Sequence, residues 1–153
     1  MKKLLLLLVI FAFSFSEVMA QEKNEMVLGL RFNPSITWNQ GSTPEAGISL
    51  NIEHGYILNH TYLSLGYSPV NNVLYSFNEY WLNNFESTIP IAVVGVLGND
   101  FKINEVFWQA GIDIGLNHGK AMAALLIGSN FSKYEPSFQL SFTIPFDLSL
   151  HKW

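Results

Sequence analysis

The 153-residue sequence predicts an all-β protein: an antiparallel up-and-down transmembrane β-barrel of eight strands, or of seven if one ambiguous region adds none. Three observations point there. From Met26 to Trp38 every even position is apolar (Met26, Leu28, Leu30, Phe32, Pro34, Ile36, Trp38), with Val27, Gly29, Arg31, Asn33, Ser35 and Thr37 between them. A period of two held over thirteen residues is long for a soluble strand but suits one that crosses a bilayer at a tilt. The same alternation recurs through most of the chain, and it follows a segment with the marks of an export signal.

That segment is 1–20. Lys2 and Lys3 give a positive start, LLLLLVIFAFSF (4–15) an apolar stretch, and Val18-Met19-Ala20 a small-residue cleavage site before Gln21. A membrane-anchoring helix would need about 20 apolar residues, and Glu17 interrupts this run too early. The chain has no cysteine, which excludes a lipid-modified cysteine, a disulfide and a thiolate metal site. Removing twenty residues from 153 leaves 133, one domain at 21–153.

Charge narrows the class further. Without Lys2, Lys3 and Glu17, 6 basic and 11 acidic residues remain of the original 8 and 12, a net charge of −5. That excludes a basic nucleic-acid footprint. These 17 charges are about 13% of the 133 residues, whereas a soluble domain's surface is roughly 25–35% charged. A small exported protein this poor in charge covers much of its outside with something other than water, and lipid is the simplest candidate. No later apolar run reaches helix-spanning length; IPIAVVGVLG (89–98) and AMAALLIG (121–128) are about half of it. Spanning then requires strands closed into a barrel, because an open sheet leaves unpaired backbone groups in hydrocarbon.

Strand by strand, 26–38 is followed by a turn-rich NQGST (39–43). A second strand, 45–58, has Ala46, Ile48, Leu50, Ile52, Tyr56 and Leu58 on one face. Asn59-His60 suits a two-residue hairpin, and the parity then flips as it should, with Leu63, Leu65 and Tyr67 apolar. The ambiguous region is 69–84. Either PVNN (69–72) turns into a short strand 73–81, or 61–77 is one strand and 78–84 its loop. Next come a strand 85–97, a turn GNDFKIN (98–104), a clear strand 105–116, a turn NHGK (117–120), a strand 121–131, SKYEP (132–136), and a last regular strand carrying Phe138, Leu140, Phe142, Ile144, Phe146, Leu148 and Leu150. Even strand numbers place both termini on the periplasmic side, so eight is expected. Pro34 and Pro145 sit inside patterned strands, where a missing ladder donor predicts local bulges. Trp153 is aromatic and terminal, but its odd parity disagrees with the even stripe.

Alternation alone does not say which face is outside; a soluble barrel shows the same period. The polar face decides. It is mostly Gly, Ser, Asn and Gln, with one or two charges per strand and no strand lysine, which suits the cramped lumen of an eight-stranded barrel. Within it, aligning Trp38 with Ala46 puts Arg31, the only arginine, opposite Glu53. An isolated buried charge is costly, so Arg31 is expected to bond Glu53, with Glu105, Asp113 or Asp147 reachable across the lumen. The role expected for this network is structural.

The strand FESTIPIAVVGVLGND (85–100) and the following FWQAGIDIGLNHGK (107–120) resemble the short outer-membrane β-barrel proteins of the Bacteroidetes, the PorT-like family. The first is similar to that family's Tyr-Leu-Glu-Ile-Pro-Leu strand and Gly-Asn turn, the second to its Gly-rich strand. The order of elements in 26–68 agrees, so the likeness extends to about Gly119. Beyond it the family usually has three more strands, and only two are visible here. The resemblance implies a barrel in the outer membrane and transfers no catalytic residues; some members assist protein secretion.

Chemistry is sparsely marked. His54 is the one polar residue on the apolar stripe of 45–58. Barrel enzymes that edit lipid A carry a histidine with a serine and an acid on their lipid-facing rim, but Ser87 lies on another strand and has no acid partner. The plainer reading is a local irregularity before Gly55 that turns His54 inward or into the interface. His60 and His118 lie in turns and His151 near the end, with no metal-ligand spacing among them. The aromatic cluster Tyr75, Phe77, Tyr80, Trp81 and Phe85 reads as an interfacial girdle, or as a ligand-binding tip. The expectation is a non-enzymatic outer-membrane barrel with a side-chain-filled lumen, no cofactor and no metal, in contact with outer-membrane lipid, its protein partner unidentified. The alternatives are a lipid-modifying barrel enzyme and a soluble periplasmic barrel holding an apolar ligand.

Overall fold

Alternating side chains and short turns give eight strands in the computed structural model, which describes residues 24–39, 42–58, 60–83, 87–116 and 120–152. The expected export signal (1–20), Phe85, His118 and Trp153 lie outside them. The strands are β1 (Asn24–Asn39), β2 (Glu45–Leu58), β3 (Thr61–Ser68), β4 (Val73–Trp81), β5 (Ile91–Asp100), β6 (Glu105–Leu116), β7 (Ala121–Asn130) and β8 (Pro136–Lys152). Each pairs antiparallel with the next, and β8 returns to β1 to close the barrel. Closure leaves no sheet edge to template another chain. The region 69–84 thus supplies β4, entered through a turn in which Asn72 takes a φ of 56°, a left-handed conformation that asparagine tolerates.

Odd residues of β1, β2, β4, β6 and β8 and even residues of β3, β5 and β7 face the lumen. Leu30, Ile112 and Phe142, on three different strands, are 46%, 50% and 46% exposed, whereas Asn51 and Ser141 are 8% and 6% exposed. The apolar stripes are outside and the polar stripes inside. The turns opposite the termini, 40–44, 69–72, 101–104 and 131–135, are all short.

Several local expectations are corrected. Ala46 pairs with Ile36, not Trp38, so Arg31 lies opposite Asn51 and Glu53 opposite Gly29. The displacement is two residues, so every side chain keeps its face. Trp38 packs instead on Phe138 of β8, with ring centroids 5.5 Å apart. No bulge forms at either proline. Pairing with β8 passes from Arg31↔Pro145 and Phe32↔Ile144 to Ser35↔Ser141 in one register, and the shift lies at Met26/Val27. An antiparallel residue directs its N–H to only one neighbour, so a proline removes one bond without demanding an extra residue.

The strand expected at 85–97 begins later, at Ile91, and the turn after it shrinks to 101–104. Pro90, buried and without an N–H, ends the connection. Asn83 substitutes for a strand partner there: its Oδ1 accepts from the Ile91 N–H at 2.7 Å and its Nδ2 donates to the Ile89 carbonyl at 3.0 Å. At the far end Gly98, Asn99 and Asp100 pair with Tyr75, Leu74 and Val73.

The lumen is also less polar than expected. Tyr75, Val94, Val96, Ala124 and Leu126 form one internal cluster, and Trp81, Ala92 and Met122 form a second. Of the aromatic cluster read as a girdle, Tyr75, Phe77 and Trp81 therefore point inward, and Tyr80 stays outside at 56% exposure. A barrel this narrow has to be filled by its own side chains, and bare glycines make room for the rings. The Tyr75 ring lies over Gly66, its directly paired neighbour, so closely that a β-carbon there would overlap it. Gly66→Ala is accordingly expected to cost about 1–3 kcal/mol, the usual range for overpacking, read as a lowered midpoint in urea unfolding.

Candidate functional site

Position 31 of β1 lies at mid-height, and its guanidinium reaches diagonally across to β2. Arg31 Nε donates to Glu53 Oε2 at 3.1 Å, and Nη2 donates to the Tyr62 hydroxyl at 3.1 Å and to Asp147 Oδ2 at 3.3 Å. The Tyr62 ring also lies under the cation, 5.2 Å from its centroid. Glu53 gathers further donors in Tyr62 Oη at 3.0 Å and Tyr75 Oη at 2.7 Å, while the Ser64 hydroxyl, 3.5 Å away, donates at 3.1 Å to the Phe77 carbonyl. Arg31 is 8% and Glu53 3% exposed. Burial of two charges is repaid only when geometry and extra hydrogen bonds satisfy both, and here Tyr62 and Tyr75 supply the extra bonds. Tyr62 lies on the polar face that the alternation gives for β3, but nothing local marks it as a partner of Arg31 and Glu53, and Tyr75 reads from sequence as part of an aromatic girdle or tip.

Asp147 joins this network from the half-exposed wall of β8. Asp113 does not; it lies beside Glu79 of β4, both carboxyl groups are buried, and Asp113 Oδ1 and Glu79 Oε1 have no hydrogen-bond partner. Glu79 was not singled out because its strand was the ambiguous one. Glu105 is also elsewhere, at the rim opposite the termini. It accepts from Asn130 Nδ2 at 2.7 Å and pairs with Lys133 Nζ at 3.1 Å. It opens β6, eight residues from Asp113, and at about 3.4 Å per residue that is too far to reach Arg31. The Glu105 hydrogen bond holds the exposed Lys133 ammonium above its ordinary pKa.

Above the Arg31–Glu53 layer the lumen holds an open cavity of about 220 Å³. Arg31, Glu53 and Asp113 lie at its floor, and Asn71 of the β3–β4 turn marks its upper wall. One side is amide and hydroxyl (Asn33, Ser49, Asn51, Gln139, Ser141, Thr143), and the other is mostly apolar (Val73, Phe77, Val96, Phe107, Leu126), with Gln109 among them. Among the described residues no cluster of His, Asp and Glu is arranged to hold a metal ion.

His54 stays on the outer stripe, paired with Leu28 and Leu65 in an uninterrupted register, so the irregularity expected to turn it inward is absent. Its Nε2 lies 3.3 Å from the Tyr56 hydroxyl. Ser87 lies in the β4–β5 connection and accepts a hydrogen bond from Asn83 Nδ2 at 3.3 Å. No acid–histidine–serine relay is assembled among the described residues.

No family model matches the chain, and no curated protein matches it. Two solved structures are similar in fold at a distance. One is Ail, the attachment invasion locus protein of Yersinia pestis, in complex with the heparin analogue sucrose octasulfate: 11% identity over 82% of this chain and 100% of that chain, TM-score 0.36. The other is a crystal structure of Ail described without that ligand: 10% identity, the same coverage, TM-score 0.33. A likeness at this level leaves function to be argued from the residues themselves.

Proposed function

We propose that this protein is an integral outer-membrane β-barrel of a Gram-negative bacterium, non-enzymatic, with a structural or interaction role. The observation that carries the reading is the belt of large apolar side chains around a closed barrel. Leu50, Leu65, Val93, Ile127 and Phe146 join Leu30, Ile112 and Phe142 on the outside, all more than two-fifths exposed, while Arg31, Glu53, Glu79 and Asp113 are enclosed. A belt on every strand pair is far larger than the few hundred Å² of contiguous apolar surface a soluble monomer shows, and acyl chains are the partner it fits. The signal-like segment 1–20 supports export to that membrane, and the residues resembling the PorT-like family support a place among the short barrels of the Bacteroidetes. The termini then face the periplasm and the short turns face outward. Those turns leave little loop surface, so an interaction role falls to the barrel wall or the lumen.

The test is migration on a gel with and without boiling. The boiled and unboiled forms are expected to run at different apparent masses, and the protein is expected to resist carbonate extraction from membranes. Identical migration together with release by carbonate would sink the reading in favour of a soluble periplasmic barrel. The lipid-editing alternative has a separate test: the lipid A mass profile is expected to be the same in cells carrying the protein and its His54→Ala variant.

A further inference from the structure

We infer that the lumen cavity is a binding site for a small neutral polyhydroxylated molecule, the size of a single sugar ring, admitted from the end opposite the termini.

The shape argues for a bound molecule. At roughly 30 Å³ per water the 220 Å³ would hold about seven, but the wall is not uniformly polar as a water-filled channel would be. Its two sides differ in balance: β1, β2 and β8 supply mostly amides and hydroxyls, and β4 to β7 mostly rings and aliphatic groups, with Ser68 of β3 and Gln109 of β6 as further polar points. Pockets that bind small molecules combine an apolar surface with a few placed polar groups. A sugar ring has the matching chemistry, with hydroxyls around its edge and C–H groups on its faces.

Hydrogen-bonding capacity of the wall is partly unspent. Asn51 uses its Nδ2 on Asn33 while its Oδ1 has no partner, and Ser68 Oγ has none either; these residues are 8% and 3% exposed. Gln109 donates to Gln139 Oε1 at 2.8 Å, which leaves the Gln139 amide N–H groups and the Gln109 carbonyl for a guest. Thr143 accepts from Asn33 at 2.6 Å and keeps its own O–H to donate. Facing these, Phe77 and Phe107 present rings, and Phe107 is seated over Gly98.

Charge selects against the other candidates. Arg31, the one cation on the wall, is committed to Glu53, Tyr62 and Asp147, so it offers little to an anion. Glu53 already accepts from Arg31, Tyr62 and Tyr75, so it has little left for an ammonium group, while Asp113 Oδ1, buried at the floor without a partner, is one more acceptor for a hydroxyl. The floor still carries more negative than positive charge, which repels an anionic sugar. The pocket stands on the barrel's interior alone; only the compartment from which it fills rests on the membrane reading.

The experiment is saturation-transfer NMR on the folded protein in phospholipid nanodiscs, with D-glucose and D-glucuronate as probes and empty nanodiscs as background. Glucose does not partition into lipid, so its signal reports the protein. D-glucose is expected to bind saturably at about millimolar Kd, the range for so few heavy atoms, and D-glucuronate at least about tenfold more weakly, as an unpaired buried charge demands. Ser141→Phe fills the space and is expected to abolish the signal; Phe107→Ala is expected to weaken it. Both variants are first shown to be folded by their gel migration. A glucose signal no greater than that of empty nanodiscs overturns the proposal, as does one retained in Ser141→Phe or matched by glucuronate. If the protein proves soluble, the same titration runs in buffer, so failure of the membrane reading and failure of this one are told apart.

Discussion

Replacing Arg31 by alanine is expected to lower folding stability by about 3–5 kcal/mol, the cost of leaving a buried charge without its partner. The charge left behind is Glu53, 3% exposed. Tyr62 and Tyr75 would still donate to it, but among the described residues no other cation is paired with Glu53, which Arg31 meets at 3.1 Å. The readout is a urea unfolding curve followed by tryptophan fluorescence. The pair is not expected to be a net gain over apolar filling, because desolvation offsets most of its attraction. The double variant Arg31→Met, Glu53→Leu is therefore expected to regain part of the loss, short of wild type, because the two tyrosine hydroxyls lose their acceptor. A single-variant loss under about 1 kcal/mol, the scale of an exposed ion pair, would show that the network is not the buried keystone described here.

The second large effect lies on the opposite face. Ile112→Arg is expected to cost about 2–4 kcal/mol, the penalty for a cation at the bilayer midplane on a barrel's lipid face. Ile112 is 50% exposed and sits in the middle of β6, between Val93 of β5 and Leu125 of β7. In a barrel surrounded by water the same substitution would change stability by no more than about 0.5 kcal/mol. Phe101→Arg, in the β5–β6 turn at 45% exposure, is the matched control and is expected to be close to neutral. The contrast between the two positions separates a lipid-facing belt from a merely exposed apolar surface.

Much of this architecture is legible in the residues. β1, β2, β6 and β8 alternate cleanly because one face meets an apolar exterior and the other a lumen of small and polar groups. Even the wrong β1–β2 alignment keeps the face of Arg31 and Glu53, since two residues is a full period. β4 is harder to read, because its inward positions (Tyr75, Phe77, Trp81) are as apolar as an outward stripe. Tyr75 fills space left bare by Gly66 on the neighbouring strand, and such pairing across strands leaves no mark in a local window. The late start of β5 is written in Pro90, whose missing N–H ends the connection. The cavity is not written in any one residue. It arises where several short side chains, Asn33, Ser141 and Ala124 among them, reach the same height from strands far apart in sequence.

The central claim is that the exposed stripes touch acyl chains, and the absence of cysteine allows a direct measurement. A single cysteine at Ile112→Cys, labelled with a fluorophore, is placed in vesicles whose lipids carry bromine midway along their chains. Strong quenching at position 112, with little at a Phe101→Cys control, is the result expected here. Equal, weak quenching at both positions would contradict it and leave the belt facing water.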